Sequence, residues 1–152
     1  MRHYHIYLLG ENIASHYCGR ELKLYQLFLE RELAATSKRS IFDRQIQYIS
    51  RPIPTLLIQQ KLKSLIKGKQ EFIEQENSYY VHVDKPKSEA ILDIHANYLR
   101  IKATGGPEAE TVFFEVLRRL DPCYFAVDTN HEHYGWLNPI RQEQYMNKHY
   151  WC

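Results

Sequence analysis

The chain has 152 residues, of which 44% are hydrophobic and 25% are charged, and its formal net charge is +2. This length predicts one globular domain over residues 1–152 that buries about 68–70% of its unfolded surface without a stabilising metal. The composition excludes a disordered chain, and so small a charge argues against a protein that binds nucleic acid. No apolar run is long enough for a signal peptide or a membrane span, which predicts a cytoplasmic protein.

The first half of the chain predicts one strand followed by helices. Residues 3–9 alternate and are rich in Tyr and Ile, as is typical of a strand, and Gly10 ends it. Apolar spacing predicts helices over 12–18, over 22–33, over 42–49 and from Pro54 to Gly68. The polar run 36–40 predicts a loop. In the second helix, the predicted core stripe consists of Leu22, Tyr25, Leu29 and Leu33, with Leu24 and Phe28 beside it.

The second half of the chain predicts strands around one well-defined helix. The predicted strands are 79–83, 90–94 and 98–103. A tight turn at 95–97 joins the last two of them. Gly105-Gly-Pro107 then opens a helix with one continuous apolar face, glutamates in its first turn and arginines in its last. A buried strand is predicted over 123–127, and the segment 141–152 is expected to form a flexible tail.

These elements combine into an α/β fold of the α+β kind, a single domain with a mixed, mostly antiparallel sheet flanked by helices. With the segments on either side of Gly19 counted as one helix, the predicted order is β-α-α-α-β-β-β-α-β. This order resembles the topology of the acetyltransferase fold. An acetyl-CoA-dependent N-acetyltransferase is therefore the alternative function that the chain has to be tested against.

The loop before the central helix argues against that alternative. An acetyltransferase binds the pyrophosphate of acetyl-CoA with backbone N–H groups at this helix start. In this chain Pro107 removes one donor, and Glu108 and Glu110 bring negative charge to the place where the anion would lie. Like charges about 5 Å apart repel by several kcal/mol at an effective dielectric constant of about 20. We therefore expect no cofactor at this loop.

No other cluster predicts catalysis or a metal site. The histidine pairs 3/5 and 131/133 lack the third and fourth ligands that zinc requires. The three cysteines are odd in number and form no CxxC motif, which argues against a disulfide framework and fits a reducing cytoplasm. No cysteine has a suitably placed histidine partner for nucleophilic catalysis. The sequence therefore predicts a protein that is not an enzyme and holds no metal.

Two helical segments predict a binding surface. Ile13 and Tyr17 lie four residues apart and share one face of a short polar helix, where they serve either the core or a partner. In the segment 44–49, Gln45 and Gln47 cannot both point inward with the isoleucines of that helix. At least one amide is therefore available to a partner, unless this side of the helix simply faces solvent.

Three strings of the sequence resemble a known family. They are HYHIYLLGENIASHYCGRE, QIQYISRPIP and AETVFFEVLRRLDPCYFAVDTNHEHYGWLNP, and they span both ends and the middle of the chain. On these strings, the chain resembles SirA, the sporulation inhibitor of replication protein family of spore-forming bacilli. Strings of this length and character are unlikely to match by chance, so the resemblance is specific.

The resemblance implies a function in protein binding. Proteins of this family bind domain I, the N-terminal domain, of the replication initiator DnaA, and so restrain initiation during commitment to sporulation. The partner-facing residues would be Ile13, Tyr17 and Gln45, with Gln47 as the second amide of that segment. The resemblance implies an aromatic or large apolar residue at the position of Ile13, and a relative has Phe there, so that Ile13 is a departure that could weaken or retune the contact. The resemblance also implies a monomer that forms a 1:1 complex with DnaA, without direct contact to nucleic acid or membrane.

Overall fold

One seven-stranded sheet forms the centre of the computed structural model, which describes residues 1–65 and 71–138. The strands are β1 (Arg2–Leu8), β2 (Glu71–Gln75), β3 (Ser78–Val83), β4 (Ser88–Ile94), β5 (Leu99–Gly105), β6 (Tyr124–Asp128) and β7 (His133–Trp136). The α-helices within these residues are α1 (Glu11–His16), α2 (Glu21–Leu33), α3 (Arg39–Ile49), α4 (Thr55–Leu65) and α5 (Glu108–Leu120). A 3-10 turn over Thr36–Lys38 leads into α3.

The first strand lies in the middle of the sheet, between strands that follow it late in the sequence. The strand order is β2-β3-β4-β5-β1-β6-β7, and each of these pairings is antiparallel. Tyr4 lies opposite Ile101 in β5, and Ile6 lies opposite Ala126 in β6. The predicted α+β class is therefore confirmed, with a sheet that is antiparallel throughout the described residues.

Helices cover the sheet on both faces. The ring of Tyr4 packs edge-on against Phe114 of α5, with centroids 5.3 Å apart. The ring of Tyr7 stacks on Phe28 of α2, with centroids 4.6 Å apart. Because successive side chains of a strand point to opposite faces, an even and an odd position of β1 reach the two helical layers. Ile6 of β1 is fully buried within the main hydrophobic core.

The hairpin, the helix and the buried strand predicted in the second half of the chain are confirmed. β4 and β5 form the predicted hairpin, in which the N–H of His95 donates to the carbonyl of Tyr98 at 3.0 Å. The helix after Gly105-Gly-Pro107 is α5, with its acidic first turn and its basic last turn. All five residues of β6 are buried, as expected for the strand predicted at this place.

Two strands were missed, and one predicted loop is wrong. β2 and β7 are the two edge strands of the sheet. Residues 36–40 form the 3-10 turn and the first residues of α3 instead of a loop. The first helix ends at His16, so Tyr17 follows it as its C-terminal cap.

The predicted core stripe of α2 is wrong at both its ends. Leu22 and Leu33 are 53% and 76% exposed. The buried residues of this helix are Leu24, Tyr25 and Phe28. The helix is therefore rotated relative to the prediction, so that Phe28 lies over the sheet.

The helix end predicted at Gly68 and the tail predicted over 141–152 lie outside the described residues.

Cys18 is disulfide-bonded, so the expectation against disulfides is wrong at this residue. Cys123 is buried in the core. Of the helices in the described part of the chain, none has the length and apolar character needed to cross a membrane.

A buried carboxylate ties α5 to the N-terminal strand. The Glu110 side chain is 3% exposed, and its Oε1 accepts a hydrogen bond from Nε of Arg2 at 2.7 Å. Nη2 of Arg2 also donates to the carbonyl of Gly106 at 3.0 Å. Removing the guanidinium of Arg2 would leave the buried carboxylate of Glu110 without its ion-pair partner. This lowers the free energy of unfolding more than the loss of an exposed ion pair does.

We expect Arg2→Ala to lower the free energy of unfolding by about 2 kcal/mol, because Glu110 would remain buried and unpaired. Urea unfolding followed by circular dichroism measures this. The matched control is Arg118→Ala, which removes a more exposed ion pair with Glu115 and should cause a distinctly smaller loss. Equal losses for the two variants would contradict a special contribution from the buried pair.

Candidate protein-binding surface

Ile13 and Tyr17 lie on and just after the short helix that follows β1. α1 has six residues and no side-chain cap, and its Ala14 is fully buried. Ile13 and Tyr17 are both half-buried. The N–H of Tyr17 donates to the carbonyl of Ile13 at 3.0 Å, and its ring packs edge-on against His16 with centroids 4.9 Å apart. The two predicted anchors are therefore packed on one side and exposed on the other.

The two amides of α3 point to opposite sides of the helix. Gln45 and Gln47 are both exposed, while Ile46 between them is buried. Residues two positions apart in an α-helix are rotated by roughly 200° about the helix axis relative to each other. Both amides are therefore available to other molecules, but from different directions.

Gln45 belongs to an exposed stripe that the sequence reasoning missed. Ile41, four residues before it, is 55% exposed, and Tyr48, three residues after it, is 86% exposed. Residues at these spacings are neighbours on a helix surface. The spacing of four and then three residues around Gln45 was the signal that could have identified the stripe.

Backbone hydrogen bonds join α1 to the end of α3. The N–H of Gly10, the N-cap of α1, donates to the carbonyl of Ile49 at 3.0 Å. Leu9 and Ser50 form an isolated antiparallel bridge at the same place. A Cβ atom at Gly10 would lie 3.6 Å from Cγ1 of Ile13 and 3.9 Å from the carbonyl oxygen of Ile49. Ile13 therefore lies beside the C-terminal end of α3.

Arg51 connects this junction to the rest of the sheet. Its backbone N–H donates to the carbonyl of Leu8 at 2.6 Å, and its Nε donates to the carbonyl of Leu9 at 3.0 Å. Its two terminal nitrogens donate to the two carboxylate oxygens of Asp121 at 3.1 and 3.2 Å. Asp121 also accepts the N–H of Cys123 at 2.8 Å. We call this set of contacts the Arg51 junction.

The start of α5 is filled by the protein's own side chains. The N–H of Ala109 donates to Oγ of Ser88 at 3.1 Å, and Glu110 is engaged in its buried ion pair. A Cβ atom at Gly106 would lie 2.4 Å from Oε2 of Glu108. The carboxylates and the hydroxyl thus occupy the place where an acetyltransferase would hold pyrophosphate, and nothing in this geometry favours that alternative.

One histidine of the pair 131/133 has a partner within the structure. Nδ1 of His131 lies 2.8 Å from Oδ2 of the buried Asp128. The rings of His131 and His133 have centroids 6.2 Å apart. Within residues 1–65 and 71–138, no three His, Cys, Asp or Glu side chains are grouped so that they could hold a metal ion.

The fold and this surface define a class of protein, an antiparallel α+β domain whose half-exposed apolar and amide side chains suit contact with another protein. The family model described as sporulation inhibitor of replication protein SirA matches residues 2–141. The chain is 38% identical over 147 residues to the sporulation inhibitor of replication protein SirA of Bacillus subtilis (strain 168), covering 95% of this chain and 99% of that protein. This chain therefore belongs to the SirA family, which confirms the resemblance.

We expect Arg51→Ala to lower the free energy of unfolding by about 1–2 kcal/mol and to speed hydrogen exchange at the N–H of Gly10. The reason is that the end of α3 would no longer be held against β1. Hydrogen exchange followed by NMR measures the local effect. Arg51→Lys should restore only part of the protection, since lysine cannot bind Asp121 through two nitrogens.

The matched control for this variant is Arg100→Ala, which removes an ion pair with Asp93 within the β4–β5 hairpin. It should leave the exchange of Gly10 unchanged. If Arg51→Ala leaves the protection of Gly10 as it is in the wild type, the Arg51 junction does not position α1.

Proposed function

We propose that this protein inhibits the initiation of DNA replication during sporulation by binding domain I of the initiator DnaA. The relative from Bacillus subtilis carries the name sporulation inhibitor of replication protein. Its 38% identity over nearly the whole length of both chains supports the same role here. The protein acts as a binding partner in the cytoplasm and not as an enzyme.

The observation that carries the proposal is the junction of α1 and α3. Ile13 and Tyr17 remain partly exposed there, beside the end of a helix that presents the amide of Gln45. Apolar side chains that stay exposed together are a feature of interaction sites. Tyrosine is among the residues that most often dominate binding energy, and an amide adds a directional hydrogen bond.

Inhibition follows from occupying domain I. A monomer that covers this small domain in a 1:1 complex excludes the other regulators that use it, so the mechanism is steric and competitive. An interface of roughly 1,000–1,600 Å² in total is sufficient for such a complex. The net charge of +2 gives little attraction to the DNA backbone, so the protein acts on the initiator without contacting nucleic acid.

Ile13 gives this chain a smaller first anchor than the phenylalanine that the resemblance implies for a relative. A smaller side chain buries less apolar surface, at about 25 cal/mol per Å². Tyr17 therefore contributes a larger share of the apolar contact in this protein. The half-buried packing of Tyr17 holds its ring in place before binding, which limits the entropy lost on association.

We expect Tyr17→Ala to weaken binding to domain I by about 2 kcal/mol or more, roughly thirtyfold in Kd. The apolar ring would be lost from the centre of the contact. Isothermal titration with purified domain I of DnaA measures the affinity. Tyr17→Phe keeps the ring and should retain most of the binding.

Because Tyr17 also packs against the core, each variant is first compared with the wild type by urea unfolding. Leu56→Ala truncates an exposed apolar residue on α4 that is not part of the proposed contact, and it should bind domain I with the wild-type affinity. If folded Tyr17→Ala also binds domain I with the wild-type affinity, the surface assigned to α1 is wrong.

The two amides of α3 should behave differently. We expect Gln45→Ala to weaken binding to domain I by about 1 kcal/mol, roughly fivefold, through the loss of one hydrogen bond. Gln47→Ala is the matched control, since it removes the same group from the opposite side of the same helix, and it should leave the affinity unchanged. The same titration measures both. The reverse result would transfer the contact to Gln47.

A further inference from the structure

A cavity of about 540 Å³ lies between α2, α3 and the turn that joins β4 to β5. It is lined by Tyr7 of β1, Arg31 of α2, Gln47 of α3, and Asn97 and Tyr98 of the turn. Cavities of about 300–1,000 Å³ are typical of small-molecule sites. The proposed contact with DnaA makes no use of this cavity, because Gln45 lies on the other side of α3.

Three aromatic side chains that pack on one another, His5, Tyr7 and Tyr98, form one side of the cavity, which we call the Tyr98 wall. The ring of Tyr98 stacks on His95 with centroids 4.5 Å apart, and its centroid lies 5.6 Å from that of His5. Tyr7 lies 6.0 Å from Tyr98 and is itself stacked on Phe28. Such a wall is preorganised, so a planar ring can stack against it without first ordering the side chains.

The charged groups that line the cavity are already paired. Nε of Arg31 donates to Asp43 at 2.8 Å, and its Nη1 donates to Glu32 at 3.0 Å. Arg51 is held by both oxygens of Asp121. Two guanidinium and two carboxylate groups therefore balance each other around the cavity. A phosphate would meet carboxylates beside each exposed guanidinium, so this lining favours a neutral ligand.

The groups that are left for recognition are neutral. The amides of Gln47 and Asn97 are exposed, and each offers both donors and an acceptor. Burial lowers the pKa of His5 and raises the pKa of Tyr7, and both shifts favour the uncharged form at neutral pH. A ligand for this cavity therefore needs a flat ring together with hydrogen-bond donors and acceptors on its edge.

We propose that this cavity binds a neutral, planar heterocycle of the nucleobase class, which stacks on the Tyr98 wall and hydrogen-bonds to Gln47 and Asn97. This goes beyond the proposed function and does not depend on it. The same ring is offered by a free nucleoside or by a free nucleobase, and contact with a nucleic-acid strand is not part of the proposal. Both sources present the same ring and edge to the cavity.

The test is a titration of the full chain with adenosine, guanosine, cytidine, uridine and thymidine, and separately with a short single-stranded DNA of mixed sequence. Saturation-transfer NMR detects binding, and the melting temperature provides a second measurement. We expect at least one nucleoside to bind saturably, and we expect the oligonucleotide to bind no more tightly than that nucleoside. Adding a 5′-triphosphate should not tighten binding.

Three variants of lining residues and one control variant test the site. Gln47→Ala should weaken the binding roughly fivefold, the loss of one hydrogen bond, and Gln45→Ala should leave it unchanged. Tyr98→Ala should abolish nucleoside binding. Because this variant could also disturb folding, Asn97→Ala is tested as a milder variant at an exposed position of the turn. Absence of saturable binding to every nucleoside would overturn the proposal, whether or not the oligonucleotide binds. Binding at the wild-type affinity in both Gln47→Ala and Asn97→Ala, or a triphosphate that binds more tightly than its nucleoside, would also overturn it.

Discussion

The Arg51 junction holds together segments that are distant in the sequence, and the position of the candidate surface depends on it. Arg51 bonds to two carbonyls at the end of β1 and to Asp121 beyond α5, and Asp121 accepts the N–H of Cys123 next to β6. The end of α3 is thereby held where α1 leaves the sheet. A helix of six residues without a side-chain cap has little stability of its own. Its placement is therefore a property of the surrounding contacts.

The fold could be predicted where local patterns were strong and unambiguous. The β4–β5 hairpin combined alternation with a tight turn, and α5 combined a continuous apolar face with charges that suit the helix dipole. The edge strands β2 and β7 were missed because each has only one neighbour, and a short edge strand with exposed positions lacks a clear alternation. In α2, spacing alone allowed two stripes, and the packing of Phe28 on Tyr7 decided between them.

The candidate surface could be predicted only in part, for a related reason. Helical spacing put Ile13 and Tyr17 together, because both lie on one short segment, but it could not fix how far each is buried. The approach of α1 to α3 depends on long-range contacts that no local pattern encodes. Helical geometry alone, in contrast, was enough to separate Gln45 from Gln47. The exposed stripe of Ile41 and Tyr48 would have followed from the same reasoning.

The central position of β1 has a consequence for the synthesis of the protein. β1 and α1 leave the ribosome before β5 and β6, but His5 lies opposite both Arg100 and Val127, so β1 lacks its sheet neighbours until β5 and β6 have been made. Pairings between residues so far apart in the sequence form late in folding. Until then, Ile13 and Tyr17 belong to a segment that lacks the contacts which hold α1 in place. The candidate surface therefore takes its final form only after β5 and β6 have been made, although Ile13 and Tyr17 are synthesised before them.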